Sequence, residues 1–240
     1  MSDINSLPAG FGEADPDFMR EAYAQSKKER VDGGDVMFLK NGITHVRVLP
    51  PHANAKAWFR EYKEHGLRPS GKFQTYTCPA SEGKPCPVCE YGKILYGQKT
   101  EESIKQAKQY YPKKAYLFNV YVYSSPDAKD LKNGIFVLKS GVKVFKQLME
   151  FDNDPAGDWG DITSLSRGID FRIERKGKGQ FDTEYTCMPS PNRTNILEKL
   201  AAMGLEIGVP TDLSTVYPAK SYEDLKKALA ESEAESESSE

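Results

Sequence analysis

Apolar residues along this chain come in short bursts rather than long runs, and their spacing predicts strands more often than helices. Thr44–Leu49 alternates roughly and stops at Pro50-Pro51, where missing N–H groups and fixed φ break a ladder. Trp58–Tyr62 reads as a second strand, and Ala115–Tyr123, dense in aromatic and β-branched residues, as a third. A turn over Asp127–Gly134 leads to Ile135–Leu138. Ile169–Glu174 and Phe181–Met188 flank Lys176-Gly177-Lys178-Gly179, a hairpin signal because glycine accepts positive φ. A helix is predicted over Phe18–Arg30, where Asp15 can cap free N–H groups and Pro16 suits the first turn. Parts of Tyr91–Tyr110, and Val142–Phe151, also read helical. The capping-box spacing Ser221–Asp224 predicts a last short helix over Leu225–Leu229.

Short strands with glycine turns and scattered helices predict a mainly β fold with helices (α+β), built as a small Greek-key barrel with insertions. Residues 1–34 read as an amino-terminal arm with a short helix, 35–205 as the core, and 206–230 as a linker and short helix. Residues 231–240 alternate Glu with Ser and Ala, hold nothing that could repay ordering entropy, and read as a disordered acidic tail. Between Leu67 and Tyr96, Pro, Gly, Ser and Cys occur at loop density, too irregular for a packed element. That stretch needs another organiser.

The organiser is in its cysteines. His65, Cys78, Cys86 and Cys89 offer one imidazole and three thiolates, and Pro85-Cys86-Pro87-Val88-Cys89 is a knuckle whose two intervening residues let both thiolates reach one ion. Such a donor set suits a single tetrahedral zinc, within a subdomain of about residues 63–95. His45 and His52 are rival imidazoles, though His45 lies in a predicted strand and His52 is farther off. Cys187 stands apart and reads as structural. A zinc deaminase would need a Glu two residues after the upstream ligand and an open fourth position; Leu67 stands at that place and Cys78 would close the site. No other catalytic motif appears, so the site reads as structural and the protein as no enzyme.

The net charge of −2 over 240 residues conceals an uneven layout. Lys56–Gln147 holds 17 Lys and Arg against 8 Asp and Glu, whereas Ser221–Glu240 holds 2 against 7. A basic middle with an acidic end is what a polyanion-binding body with an interaction tail requires. Aromatics interleave with the cations: Trp58 and Arg60, Tyr91, Tyr96, Lys113 and Lys114 with Tyr116, Lys139, then Phe181 and Tyr185. Cations that follow phosphates beside rings on which bases stack are the means of holding a single strand without reading its sequence. On one strand Tyr116 and Phe118 face away from Tyr121 and Tyr123, so one pair must be core. A mean hydropathy of −0.62 and the lack of any apolar run near 20 residues argue against a membrane span. An acidic, lysine-containing start without an apolar stretch predicts a cytoplasmic protein.

With these residues in view, the chain resembles the single-stranded-DNA-binding proteins of the T-even bacteriophages from about Gly42 to Met188. The resemblance is carried by Val46-Arg47-Val48-Leu49-Pro50, His65-Gly66, Cys78, Cys86-Pro87-Val88-Cys89 with Tyr91, Tyr116 with Asn119, the segment Phe181–Tyr185, and the acidic end. It implies an oligonucleotide-binding (OB) barrel with an inserted zinc subdomain beside a DNA cleft. Arg47, Tyr91, Tyr96, Lys113, Tyr116, Phe181 and Tyr185 would then match positions along the DNA path. It further implies sequence-independent coating of single-stranded DNA in replication, recombination and repair inside a phage-infected bacterium. The acidic tail would contact replication and recombination proteins and cover the cleft until DNA displaces it. Self-association along DNA is a further expectation, although the family's basic, Ser/Thr-containing motif is absent from Met1–Leu7 and Lys27-Lys28-Glu29-Arg30 is the nearest basic cluster. Leu138 stands where that family would place an aromatic. Two other readings fit the same surface: an RNA-binding regulator on the same barrel, and a zinc-dependent nucleic-acid enzyme.

Overall fold

A computed structural model of the chain describes residues 36–126, 134–154, 156–157, 159–177, 179 and 182–237. The predicted helix over Phe18–Arg30, most of the turn over Asp127–Gly134, and Phe181 lie outside them. Eight strands are described: β1 (Val36–Met37), β2 (Gly42–Val48), β3 (Phe59–Leu67), β4 (Gln74–Thr77), β5 (Lys113–Ser124), β6 (Gly134–Ser140), β7 (Gly168–Lys176) and β8 (Glu184–Thr194). Five α-helices accompany them: α1 (Pro87–Gly97), α2 (Glu101–Gln109), α3 (Val142–Asp152), α4 (Ile196–Ala201) and α5 (Tyr222–Glu237). The mixed, strand-rich class is as the periodicity predicts.

All eight strands join one sheet, in the order β1-β6-β5-β2-β7-β8 with β3 and β4 branching from β5. The branch is explained by the length of β5. Along one edge it pairs with β6 from Tyr116 to Val122; along the other it pairs first with β3, from Lys113 to Phe118, and then with β2, from Val120 to Ser124. One long strand therefore carries two continuations of the sheet. Its alternation places Phe118, Val120 and Val122 with Val46, Val48, Leu138, Phe171 and Ile173 in the main core, which α3 covers with Val144 and Leu148. The remaining parity of β5, Ala115 and Leu117, packs against Leu213 and Val216 instead.

The prolines of β8 are tolerated because among the described strands it pairs only with β7, and the ladder skips from Ile169↔Arg193 to Phe171↔Pro189. Gly168 is required as glycine: a Cβ there would stand 2.3 Å from the Ser164 carbonyl oxygen and 2.8 Å from Nη1 of Arg47.

Two expectations are corrected. The stretch 67–96 holds packed elements after all: β4 pairs with the end of β3, and Cys86 is the N-cap of α1 with Pro87 in its first turn. Nor does order stop at residue 230, because α5 continues to Glu237. The physical reason is tertiary: Ala228 and Leu229 are buried against Leu67, Cys78, Cys86 and Val88, and beyond them Ser232 accepts from the Arg68 amide and Glu233 from Tyr91 and Tyr110.

Candidate metal centre and nucleic-acid groove

His65 sits near the end of β3, Cys78 directly after β4, and Cys86 and Cys89 on the first turn of α1. Antiparallel pairing brings the first two together, and the helical turn presents the knuckle to them. The ligand atoms of all four lie within 4.8 Å of one another. Nε2 of His65 is 3.4 Å from Sγ of Cys86 and 3.5 Å from Sγ of Cys89, and the sulfurs of Cys78 and Cys89 are 3.5 Å apart. A tetrahedron with zinc–sulfur bonds of about 2.3 Å has edges of roughly 3.5–3.8 Å, so the donors fit such an ion.

Two further observations agree. Nδ1 of His65 lies 2.9 Å from the carbonyl oxygen of Tyr110. A carbonyl can only accept, so the proton is on Nδ1, and the Nε2 lone pair is directed at the thiols. The thiols are also close-packed: the hydrogen bond with Cys78, followed by burial, pushes Cys86 up to about 12, burial raises Cys89, and the hydrogen bond with Cys86 lowers Cys78. Packed this closely, thiolates repel unless a cation lies between them. Between His65 and its rivals the geometry decides, since neither His45 nor His52 belongs to the cluster.

The centre organises its surroundings. Gly66, beside the histidine, leaves room for the Phe73 ring, which a Cβ would meet at 2.6 Å. Tyr91 and Tyr110 pack edge to face at 5.1 Å between centroids, and both hydroxyls donate to the Glu233 carboxylate on α5. The Ser232 hydroxyl accepts from the Arg68 amide, and the Tyr222 hydroxyl donates to Glu90.

At the end of the sheet where β5 begins and β6 ends runs a groove of about 440 Å³, lined by residues including Phe38, Lys40, Glu64, Lys113, Lys114 and Lys139. Through Gly141, Val144, Arg175 and Tyr185 it continues into a second hollow that adds Lys143 and Thr183. Six cations thus face one carboxylate, Glu64, which Lys139 engages at 2.6 Å. Lys114 is held by Glu61 at 2.9 Å, and this partner keeps the Glu61 carboxyl below its ordinary range. Lys40, Lys113, Lys143 and Arg175 have no ion-pair partner among the described residues. Phe38 is 50% exposed beside them, and Tyr185 stands across from Arg175 in the β7–β8 ladder.

Four of the sequence candidates, Lys113, Lys114, Lys139 and Tyr185, come together in this groove. Others do not. Arg47 is wholly buried, its guanidinium bonded to Asp170 at 2.8 Å and to the Ser164 carbonyl, so it ties β2 to β7. Trp58 is a core ring against Phe118 and Phe145, with Nε1 donating to Asp152. Tyr116 is 4% exposed and stacks on Phe145 at 3.8 Å, while its hydroxyl reaches Glu61. Arg60 donates to the carbonyls of Leu213 and Val216. Each of these four side chains is engaged by groups of the protein itself. Tyr91 is bound to Glu233, whereas Tyr96, at the end of α1, is 53% exposed.

Sequence reasoning missed Phe38, Lys40 and Lys143, whereas Arg175 belongs with Arg172, Lys176 and Lys178 to the cations that precede Phe181 and Tyr185. Phe38 and Lys40 lie on a short segment with little periodicity. Only its place at a helix start hinted at Lys143.

A family model described as gp32 DNA binding protein like matches residues 40–231, most of the 240-residue chain. No curated protein matches the chain.

Proposed function

We propose that this chain, which belongs to the gp32-like DNA-binding protein family, coats single-stranded DNA without sequence preference. The family is one of DNA-binding proteins rather than enzymes. The observation that carries the single-strand reading is the groove, where Lys40, Lys113, Lys143 and Arg175, without ion-pair partners among the described residues, present charge beside the Phe38 and Tyr185 rings. Cations spaced along a channel follow phosphates, and each base stacked on a ring contributes about 1–3 kcal/mol whatever its identity. A duplex hides its base faces and gains only the charge term.

In this reading β3, β5, β6 and β7 belong to an oligonucleotide-binding barrel. The His65–Cys78–Cys86–Cys89 centre holds one structural zinc that folds the segment between β3 and β5. The zinc supplies folding energy and no chemistry. The acidic carboxyl-terminal segment recruits replication, recombination and repair proteins, consistent with its surplus of 5 negative charges over Ser221–Glu240. The same segment competes with DNA for the basic surface. Truncation after Glu233 tests that role better than removal of residues 231–240, because Glu233 also holds Tyr91 and Tyr110. The setting is the cytoplasm of a phage-infected bacterium; no described helix is long and apolar enough to cross a membrane.

The test is a titration of Trp and Tyr fluorescence with oligo(dT), oligo(U) and duplex of equal length, at low and moderate salt. Quenching by oligo(dT) that weakens with salt, with little response to duplex, supports the proposal. Equal binding of duplex sinks it, and tighter binding of oligo(U) turns it to RNA.

A further inference from the structure

Strand β6 ends at Ser140 and α3 starts at Val142, with Gly141 alone between them. The first amides of a helix have no acceptor inside it, and most helices supply one from a capping side chain or place an acid in the first turn. Here no side chain caps α3, and its first turn carries no acidic residue. That end of the helix lines the groove, and its partial positive charge faces the same space as Lys143 and Arg175.

A capless helix start is common; what accompanies this one is not. Ser140 is 7% exposed and lines the groove, yet its hydroxyl has no hydrogen-bond partner among the described residues. Arg175 donates Nη1 to the Leu39 carbonyl at 3.2 Å, while its buried Nε has no partner among the described residues. Leaving a buried polar group unpaired costs roughly 1–3 kcal/mol, and two such groups meet at one groove. Gly141 adds a third sign. Its φ of −85° suits any residue, and a Cβ built there would meet nothing within 4 Å. The fold does not require glycine at this place, but a ligand approaching the backbone would.

We infer that Ser140, the amides that open α3, and Arg175 form a seat for one phosphodiester group of the bound strand, with Lys143 closing its side. The seat rests on the reading of the groove as a single-strand path and fixes where along it the backbone is gripped. An anionic oxygen there accepts from the helix amides, the Ser140 hydroxyl and the Arg175 Nε, satisfying at once the donors the free protein leaves unpaired. The neighbouring bases would then lie toward Tyr185 and Phe38.

The experiment compares the full chain with Ser140→Ala and Gly141→Ala. Ser140→Ala removes an unpaired buried hydroxyl, so its thermal midpoint should equal or exceed the wild type while its Kd for oligo(dT) rises about three- to tenfold. Gly141→Ala should melt unchanged and lose about tenfold, because its methyl group fills the approach to the amides. In the wild type, the backbone amide resonances of Val142 and Lys143 should shift on adding oligo(dT). If the wild type binds oligo(dT), both variants bind equally well and those resonances stay in place, the phosphate seat is wrong and the groove reading survives. If the wild type fails to bind oligo(dT), the groove reading itself fails and the seat falls with it.

Discussion

Nδ1 of His65 donates to the backbone carbonyl of Tyr110, 2.9 Å away, and so joins the metal centre on β3 to the residue that caps the end of α2. The Tyr110 hydroxyl in turn donates to Glu233, which also receives the hydroxyl of Tyr91, two residues beyond the ligand Cys89. Ligands, helix end and carboxyl-terminal helix thus form one connected unit.

Removing the ion should therefore loosen more than the knuckle. Zinc at such sites contributes on the order of 10 kcal/mol to folding. Chelation is expected to abolish amide-exchange protection over residues 87–109 and over α5 together, while β2, β5 and β7 keep theirs. Hydrogen exchange read by mass spectrometry checks this; retained protection in α5 would show that the helix docks without the ion.

The four cysteines should separate chemically into three and one. Burial pushes the Cys187 thiol up to about 12, so it should resist alkylation at pH 8 in the native protein, with or without metal. Chelation should release three reactive thiols, and denaturation the fourth. The sign with pH follows: the unfolded thiol ionises from about 9 and the folded one only near 12, so the Cys187 contribution to stability is lost as pH rises through that window. Thiol titration before and after chelation, with unfolding curves at pH 8 and 10, tests both statements.

Arg47→Ala should unfold the protein rather than blind it to DNA. It would take the guanidinium from Asp170, leaving the carboxylate Lys199 at 3.3 Å and the hydroxyls of Tyr123 and Thr194, and breaking a buried pair of this kind costs at most about 3–5 kcal/mol. The midpoint in urea should fall by that measure, while the folded fraction binds oligo(dT) within about twofold of wild type. An unchanged midpoint with lost affinity would return Arg47 to the DNA path.

Lys113→Gln and Lys40→Gln should do the reverse. Each removes an exposed groove cation, so stability should stay within about 0.5 kcal/mol. The slope of log K against log salt should fall by about 1 for each, across all base compositions. Salt titrations with oligo(dT) and a mixed-sequence strand decide it, and an unchanged slope would exclude the residue from phosphate contact.

What the sequence determined by itself is local chemistry. Three thiols and an imidazole at those spacings have few uses other than a tetrahedral metal, and the alternation of Ala115–Tyr123 allows few states other than a strand. Even the fourth ligand was legible, since position favours His65 over His45 and His52, and the structure groups His65 with the three cysteines. Long-range contact decided the rest. Arg47, Trp58 and Tyr116 look like DNA contacts in a basic, aromatic sequence, but the pairing of β2 with β7 and the packing of α3 on the sheet turn all three inward. Phe38, Lys40, Lys143 and Arg175 lie far apart in sequence and share a groove only because strand ends from β1, β6 and β7 meet there. The acidic end reads as unable to order because its composition holds no core; α5 orders because the metal subdomain provides one. Donor type and periodicity act over a few residues and survive in the sequence, whereas burial is a property of what a residue meets, and that is settled only when distant segments pack.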